Sequence, residues 1–275
     1  MLFFAAAVAC TSCLKLDDGG NAGNEMKYVD TITAADGAVL SYEYDTAQRI
    51  SGITLTSADG TVTSYTVTYN IVKPWSQSFI EISCSDSRRW IMHINNTAML
   101  DSWSSVDDDG TETLLSKFAY DDRYNGIYHV SSIQNVVQSQ TSTFSWSATA
   151  PLEQRTVRTS EGQTTESAVV TYRYHALTSN MLANIDFLVL LLPEYFASSD
   201  IEPCVASAVT LFGTRSYYLP SSVNIMYEDY TDPDAVTSNR TRVFSFDTDK
   251  KGYIRGIYSE QGDTRTQLFG ITYFS

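Results

Sequence analysis

The chain has 275 residues, of which 43% are hydrophobic and 18% charged, and its formal charge is −14. That length permits one large all-β domain or two small ones, and the balance of apolar and charged residues fits a globular protein with a core of its own. So acidic a chain has no basic footprint for nucleic acid, and it disfavours docking of a folded surface onto anionic lipid.

The first nine residues read MLFFAAAVA, an apolar run without charge, followed by Cys10 and Cys13. A secretory signal needs an apolar stretch of about 7–15 residues and a small-residue processing site, and both are present. A membrane-spanning helix needs about 20 apolar residues, so this run is too short to cross a bilayer. No Lys or Arg precedes it, so either the natural start lies upstream, which is the favoured reading, or the signal is a poor one. Small residues before a cysteine are the mark of bacterial lipoproteins, whose thiol is acylated after cleavage. Cys13 is the favoured site, because Lys15, Asp17 and Asp18 follow it like the acidic tag of exported lipoproteins; Cys10, after Ala7-Val8-Ala9, is the alternative. The Gly-rich stretch from Gly19 to Asn24 then reads as a flexible tether. This gives residues 1–24 as signal and tether, and 25–275 as a single β domain. Removal of the signal leaves Cys84 and Cys204, for which two separate buried thiols are expected rather than a disulfide.

Along the domain, period-2 alternation marks strands with one buried face. It is plain at Tyr42 and Tyr44, at Tyr65, Val67 and Tyr69, at Val170, Tyr172 and Tyr174, and at Phe244 and Phe246. Turn pairs punctuate these runs: Asp36-Gly37, Asp59-Gly60, Asp109-Gly110, Glu161-Gly162 and Gly262-Asp263. The expectation is tight hairpins with positive φ at both central residues. A loose repeat joins Tyr42-Glu-Tyr-Asp45 with Ile50 and Ile53, Phe118-Ala-Tyr-Asp121 with Val130 and Ile133, and Phe244-Ser-Phe-Asp247 with Ile254 and Ile257. Each unit is an aromatic pair, an Asp, a turn and a return strand, and their irregular spacing argues for a meander rather than a solenoid.

One segment departs from the pattern. Asn184 to Pro193 is a dense apolar run, and Ser199-Asp-Ile-Glu202 resembles a capping box with Pro203 in the first turn. Val205, Ala208, Val209 and Phe212 recur at helical spacing, and Gly213 ends the pattern. We read a helical insertion at about 181–213, as a short amphipathic helix packed on the sheet or plugging one mouth of a barrel. The fold expected is all-β, a mainly antiparallel meander that is barrel-like or strongly curved, with that one insertion.

The Ser12-Cys-Leu-Lys15 start, the Tyr-x-Tyr-Asp hairpins, the stretch from Asn184 to Pro220 and the terminal Gly252-Tyr-Ile-Arg-Gly-Ile257 together resemble a group of secreted Bacteroides proteins of unknown function with a porin-like β fold. The hairpin units are also similar to the Tyr-Asp repeats of large bacterial surface shells. The resemblance implies a fold and a location; it brings no chemistry and no binding residues.

Little in the sequence carries chemistry. His93, His129 and His175 have no Cys or His partner at zinc spacing, and no nucleophile elbow, phosphate loop or dinucleotide fingerprint occurs. Asp247-Thr-Asp249-Lys-Lys251-Gly252 begins like a calcium loop, but Lys251 replaces a ligand and Tyr258 the closing Glu, so it reads as a turn. No metal and no cofactor are expected. Trp75, Trp90, Trp103 and Trp146 are the ligand-binding candidates, since exposed indoles stack on sugar rings, although tryptophan is on average highly buried. The reading is a lipid-anchored outer-membrane protein, periplasmic or surface-exposed, that binds glycan or an envelope protein. The alternatives are a glycan hydrolase with paired carboxylates in a barrel mouth, and an integral pore.

Overall fold

The computed structural model describes residues 26–124, 127–174, 178–181, 183–192, 203–208, 216–231 and 237–274. Sixteen strands follow one another: β1 (Val29–Ala34), β2 (Val39–Tyr44), β3 (Ile50–Thr56), β4 (Val62–Asn70), β5 (Phe79–Cys84), β6 (Arg89–Ile94), β7 (Leu100–Val106), β8 (Glu112–Tyr124), β9 (Ile127–Asn135), β10 (Gln140–Trp146), β11 (Pro151–Ser160), β12 (Gln163–Arg173), β13 (Ser222–Asp229), β14 (Ser238–Thr248), β15 (Ile254–Gln261) and β16 (Thr264–Tyr273). Each pairs with its chain neighbour, and β16 returns to β1 through Ile271↔Ile32 and Gly270↔Thr33. The result is a closed antiparallel barrel without free edges, which removes the pairing hazard of an open sheet. An even strand number brings the start of β1 and the end of β16 to the same mouth. The connection between β12 and β13 leaves from that mouth too, and we call it the plug end.

The hairpins differ from expectation in their turns. At Asp36-Gly37, Asp59-Gly60 and Asp109-Gly110 only the glycine has positive φ. The loops hold three residues, with Gly37 N–H donating to Ala34 O and Ala34 N–H to Ala38 O. This is a type I turn followed by a left-handed residue. The Asp favours it by accepting the N–H two residues on: Ala38 N to Asp36 Oδ1, Thr61 N to Asp59 Oδ1 and Thr111 N to Asp109 Oδ1, each at 2.9 Å. Only Glu161-Gly162 has positive φ at both positions, between the paired Ser160 and Gln163. The third repeat unit is also shifted. Tyr42 pairs with Ile53, and Asp45 closes the turn, whereas Phe246 pairs with Ile257, and Asp249 rather than Asp247 closes the turn.

Directly opposed residues share a face, so the ladders show what lies inside. The row Tyr42–Ile53–Tyr65–Cys84 crosses β2 to β5, and Tyr69–Ile80–Met92–Trp103 crosses β4 to β7. Nearly all of these side chains are buried. The neighbouring row Thr31–Ser41–Thr54–Ser64 faces outward, as does Thr171–Asn224–Thr241. Over β2–β7 the inner face is therefore apolar, over β10–β12 it carries the buried, hydrogen-bonded Ser142, Thr156 and Gln154, and the outer rows are rich in Ser and Thr. Integral barrels have the opposite polarity, with an apolar outer band and a polar lumen. The exposed large apolar side chains on the described wall are scattered, Val62 on β4, Leu152 on β11 and Met226 on β13, and do not form the belt that the integral-pore reading requires.

A sixteen-strand barrel encloses a lumen wide enough for an aqueous channel. Here the described helices of the insertion pack against its inner wall. The insertion's apolar run forms a helix of its own, α1 (Phe187–Leu191), and the second helix, α2 (Pro203–Ala208), packs against it. The expected capping box at Ser199 and the positions from Val209 to Gly213 lie outside the described residues. Phe187, Leu188, Val189, Leu190 and Leu191 are all buried, as are Val205, Ala206 and Ala208, and they belong to the same apolar cluster as the inner wall. A helix buried on every side must be surrounded, so α1 is enclosed as a plug; in α2, the described part of the run read as an amphipathic helix, Val205, Ala206, Ser207 and Ala208 are all buried as well. Asp186 caps it by accepting from Leu188 N, and the buried Asn180 amide donates to Asp186 Oδ1 at 2.8 Å.

Candidate functional site: a groove at the plug-end mouth

Strand lengths create the groove. β8 runs for 13 residues and β7 for 7. Their ladder ends at Ser102↔Lys117, while β8 continues beside β9 as far as Tyr124↔Ile127. The β8–β9 ribbon thus rises past the short turn between β6 and β7. The step holds a cavity of about 550 Å³, within the range of small-molecule sites, about 300–1,000 Å³.

One wall is Phe118, Ala119, Tyr120 and Asp121 of β8, and the other is Asn95 and Thr97 of the turn; Tyr128 and Ser131 complete it from β9. Asn95 Oδ1 is held by the turn, accepting from Thr97 N, Thr97 Oγ1 and Met99 N at 2.7–3.0 Å. That leaves its Nδ2 hydrogens as the amide donors of the groove. Burial pushes the Tyr120 phenol far up, and the nearby Asp101 charge adds to the rise. Tyr120 therefore stays neutral at physiological pH. Among the described residues the lining has a carboxylate, Asp121, and neither Lys nor Arg.

The four tryptophans separate into two pairs. Trp90 and Trp103 are 2% and 1% exposed and pack in the core, which leaves no indole face open to a ligand. Trp75 and Trp146 are half-buried at the plug-end mouth, on either side of the groove. Trp75 lies in a single 3-10 turn (Trp75–Gln77) packed beside β6, where Ile94 N donates to Ser78 O. Trp146 donates through Nε1 to Val130 O at 2.8 Å and stacks on His129, centroids 4.4 Å apart. The sequence marks the tryptophans by residue type, but it cannot mark the groove, which exists only because adjacent strands differ in length.

The carboxylates that the fold perturbs, Asp45, Asp59, Asp86, Asp109, Asp247 and Asp249, are all held below the usual carboxylate range. A glycan hydrolase needs a carboxyl raised to act as general acid. Asp247 pairs with Arg265 at 2.8 Å, and Asp249 closes its turn, so the calcium-like stretch is the expected turn. Among the described residues no group of three or more His, Cys, Asp or Glu is placed to hold a metal. His175 lies outside them, and so do Cys10 and Cys13. Cys84 is a buried free thiol; the side chain of Cys204 is outside the description.

Two solved structures share this architecture. A porin-like protein from Bacteroides vulgatus superposes with a TM-score of 0.61 at 14% identity, over 90% of this chain and 99% of that one. A porin-like protein from Bacteroides uniformis gives 0.57 at 13% identity, over 86% and 91%. The fold is that of porin-like Bacteroides proteins. At such identities the likeness extends to fold alone. No protein-family model and no curated protein matches the chain.

Proposed function

We propose that this is a lipid-tethered barrel of the outer membrane that binds a ligand or an envelope partner, and neither conducts nor catalyses. The carrying observation is the polarity of the barrel: apolar rows inside, closed around a buried helical plug, and a Ser/Thr wall outside. Such a wall suits water, and the buried apolar plug packs in one cluster with the inner wall, which favours a closed lumen over a conducting one. Membrane attachment then falls to the N-terminal cysteine, Cys13 or Cys10. A chain of the length from Cys13 to Tyr28 could span at most on the order of 50 Å, and Lys27 enters the fold at the plug end by bridging to Ala183. The tether and the aromatic groove accordingly share one mouth.

The test combines palmitate labelling, outer-membrane fractionation and planar-bilayer recording on the full chain. Label lost in Cys13→Ala and retained in Cys10→Ala, with no steady conductance, is the expected result. Label surviving in both variants overturns the tether, and reproducible single-channel steps overturn the closed lumen.

A further inference from the structure

We propose that the plug-end mouth is a membrane-contacting surface that seats the barrel on a zwitterionic lipid interface, an inference that rests on the tether reading above and gives the tethered barrel an orientation. Among the described residues this mouth has three exposed apolar points. On the loop between β4 and β5, Val72 is 48% exposed and Trp75 lies half-buried beside it; at the start of β11, Leu152 is 48% exposed; at the seam of β16 and β1, Phe274 is 46% exposed. Phe274 N–H donates to Tyr28 O, and its ring meets the Tyr44 ring edge-on, which in turn meets Tyr28, with centroids 5.5 and 5.3 Å apart. The seam is four strands from the β4–β5 point, and the β11 point is six strands from each of the others. At about 4.8 Å per strand, neighbouring points lie on the order of 20–30 Å apart along the wall. A small ligand covers one of them; a flat partner meets all three.

Chemistry selects lipid among flat partners. An aromatic ring with a cation beside it suits the headgroup level, where the ring meets hydrocarbon and the charge stays wet. Lys73 Nζ lies 5.9 Å from the Trp75 centroid, and Lys27 Nζ 5.0 Å from that of Tyr253. The plug-end turns described in full bring little negative charge. Those after β4, β6 and β10 have no acidic residue, and those after β2 and β14 pair Asp45 with Arg49 and Asp249 with Arg255. The other mouth differs. Val62 and Val137 are exposed there too, but its turns carry Asp36, Asp59, Asp108, Asp109, Glu161 and Asp263, charges that an interface would have to dehydrate. Lys27 enters the fold at the plug end, so the segment bearing Cys13 and Cys10 leads to the mouth it would seat. Tethering holds that mouth near lipid at high effective concentration, and weak contacts at three points then suffice to orient the barrel.

The test is flotation with phosphatidylcholine vesicles, alone and with added phosphatidylglycerol. The full chain carrying Cys10→Ala and Cys13→Ala reads the seat without an acyl group, and the apolar N-terminal run contributes equally to every variant made in it. Val72→Ser, Leu152→Ser and Phe274→Ser together should weaken partition onto phosphatidylcholine by about tenfold or more. The single variants, each expected to weaken it by about twofold, serve if the triple variant does not fold. Val62→Ser with Val137→Ser, at the other mouth, should leave partition unchanged. On vesicles of brominated phosphatidylcholine the acylated wild type should show quenched tryptophan emission, and Trp75→Phe should remove part of that quenching. Partition unchanged in all folded mouth variants, an equal loss from the other mouth, flotation that requires phosphatidylglycerol, or quenching unaltered in Trp75→Phe would overturn the proposal. Palmitate labelling of the wild type reads the tether separately, so a labelled chain whose mouth variants float like their parent loses the seat and keeps the anchor.

Discussion

Asn184 Nδ2 donates to the Tyr44 hydroxyl at 2.9 Å, and that hydroxyl donates on to Val29 O at 2.6 Å. Val29 N–H closes the ring by donating to Asn184 Oδ1 at 2.8 Å. Three groups distant in sequence are thus joined: the plug, the end of β2 and the start of β1. The ring lies beside the seam where β1 meets β16. Burial pushes the Tyr44 phenol up, so it stays protonated and able to donate.

Removing the shared amide should therefore loosen plug and seam together. Asn184→Ala leaves the Val29 N–H without its acceptor, which costs about 2–3 kcal/mol. For a domain of this size that lowers the melting temperature by roughly 4–10 °C. Tyr44→Phe keeps the Asn184–Val29 bond and should cost less. Differential scanning calorimetry of both variants checks the order, and an Asn184→Ala midpoint equal to wild type would show that the ring is ornamental.

The turns make a second prediction with opposite signs at equivalent positions. Gly60 closes its hairpin with a φ of +85°, and Ala98 closes the β6–β7 turn at +62°. An L-residue pays about 1–2 kcal/mol in that region. A Cβ at Gly60 would meet nothing within 4 Å, so conformation alone sets its cost. Gly60→Ala should destabilise by about 1 kcal/mol, and Ala98→Gly should stabilise by a similar amount, less the entropy of the freer unfolded glycine. Urea midpoints with unchanged slopes would show it; two shifts of the same sign would contradict the turn assignment.

The barrel was legible in the sequence because its two faces differ so sharply. Tyr42, Tyr65 and Val67 alternate with Glu43, Thr66 and Thr68, and alternation of that kind fixes which face is buried. Closure was less legible, since it depends on Ile271 meeting Ile32 across almost the whole chain. The turns were misread where Asp36, Asp59 and Asp109 act through their side chains, because Asp-Gly serves both hairpin types. The plug was half-read. Leu188 to Leu192 are apolar without a polar face, which periodicity alone cannot separate from a buried strand. As for the groove, its parts were visible only as scattered residues. Asn95 and Tyr120 become neighbours through the overhang of β8, a difference in ladder length that no local pattern encodes.

A third prediction concerns a glycine covered by a ring. On the outer wall Gly256 pairs with Gly270 and Asp247. A Cβ there would lie 2.8 Å from the Tyr258 ring. Arg265 stacks over that ring, 3.6 Å from its centroid, and its guanidinium holds Asp247 at 2.8 Å and Ser245 at 2.9 Å. An aromatic side chain lying over a strand glycine protects its bare backbone. Gly256→Ala should push Tyr258 off and cost about 1–3 kcal/mol. Tyr258→Ala removes the clash, so the double variant should be less destabilised than the two single costs together, with a coupling of about 0.5–3 kcal/mol. Strict additivity in denaturant unfolding would rule out the contact.

The last prediction is acid sensitivity from the turn aspartates. Burial works against the Asp45 carboxylate, but the Arg49 backbone N–H and guanidinium more than offset it and hold its pKa below the ordinary 3.8. Asp249 is similar: burial opposes ionisation, while the Lys251 N–H and the Arg255 guanidinium favour it. At Asp59 and Asp109 the N–H of Thr61 and of Thr111 does the same. A folded pKa below the unfolded one means that the unfolded chain binds more protons in this range, so stability rises with pH there. The contribution is complete above the unfolded carboxylate range and is lost as pH falls through the lower folded values. The melting temperature should therefore be flat near neutrality and drop on acidification below about pH 4. Asp45→Asn keeps an oxygen acceptor for the turn but has no charge for Arg49. It should melt below wild type at pH 7, and the two curves should converge as Asp45 in the wild type is protonated. A gap that stays constant down to the acid limit would assign the loss to turn geometry rather than to the carboxylate.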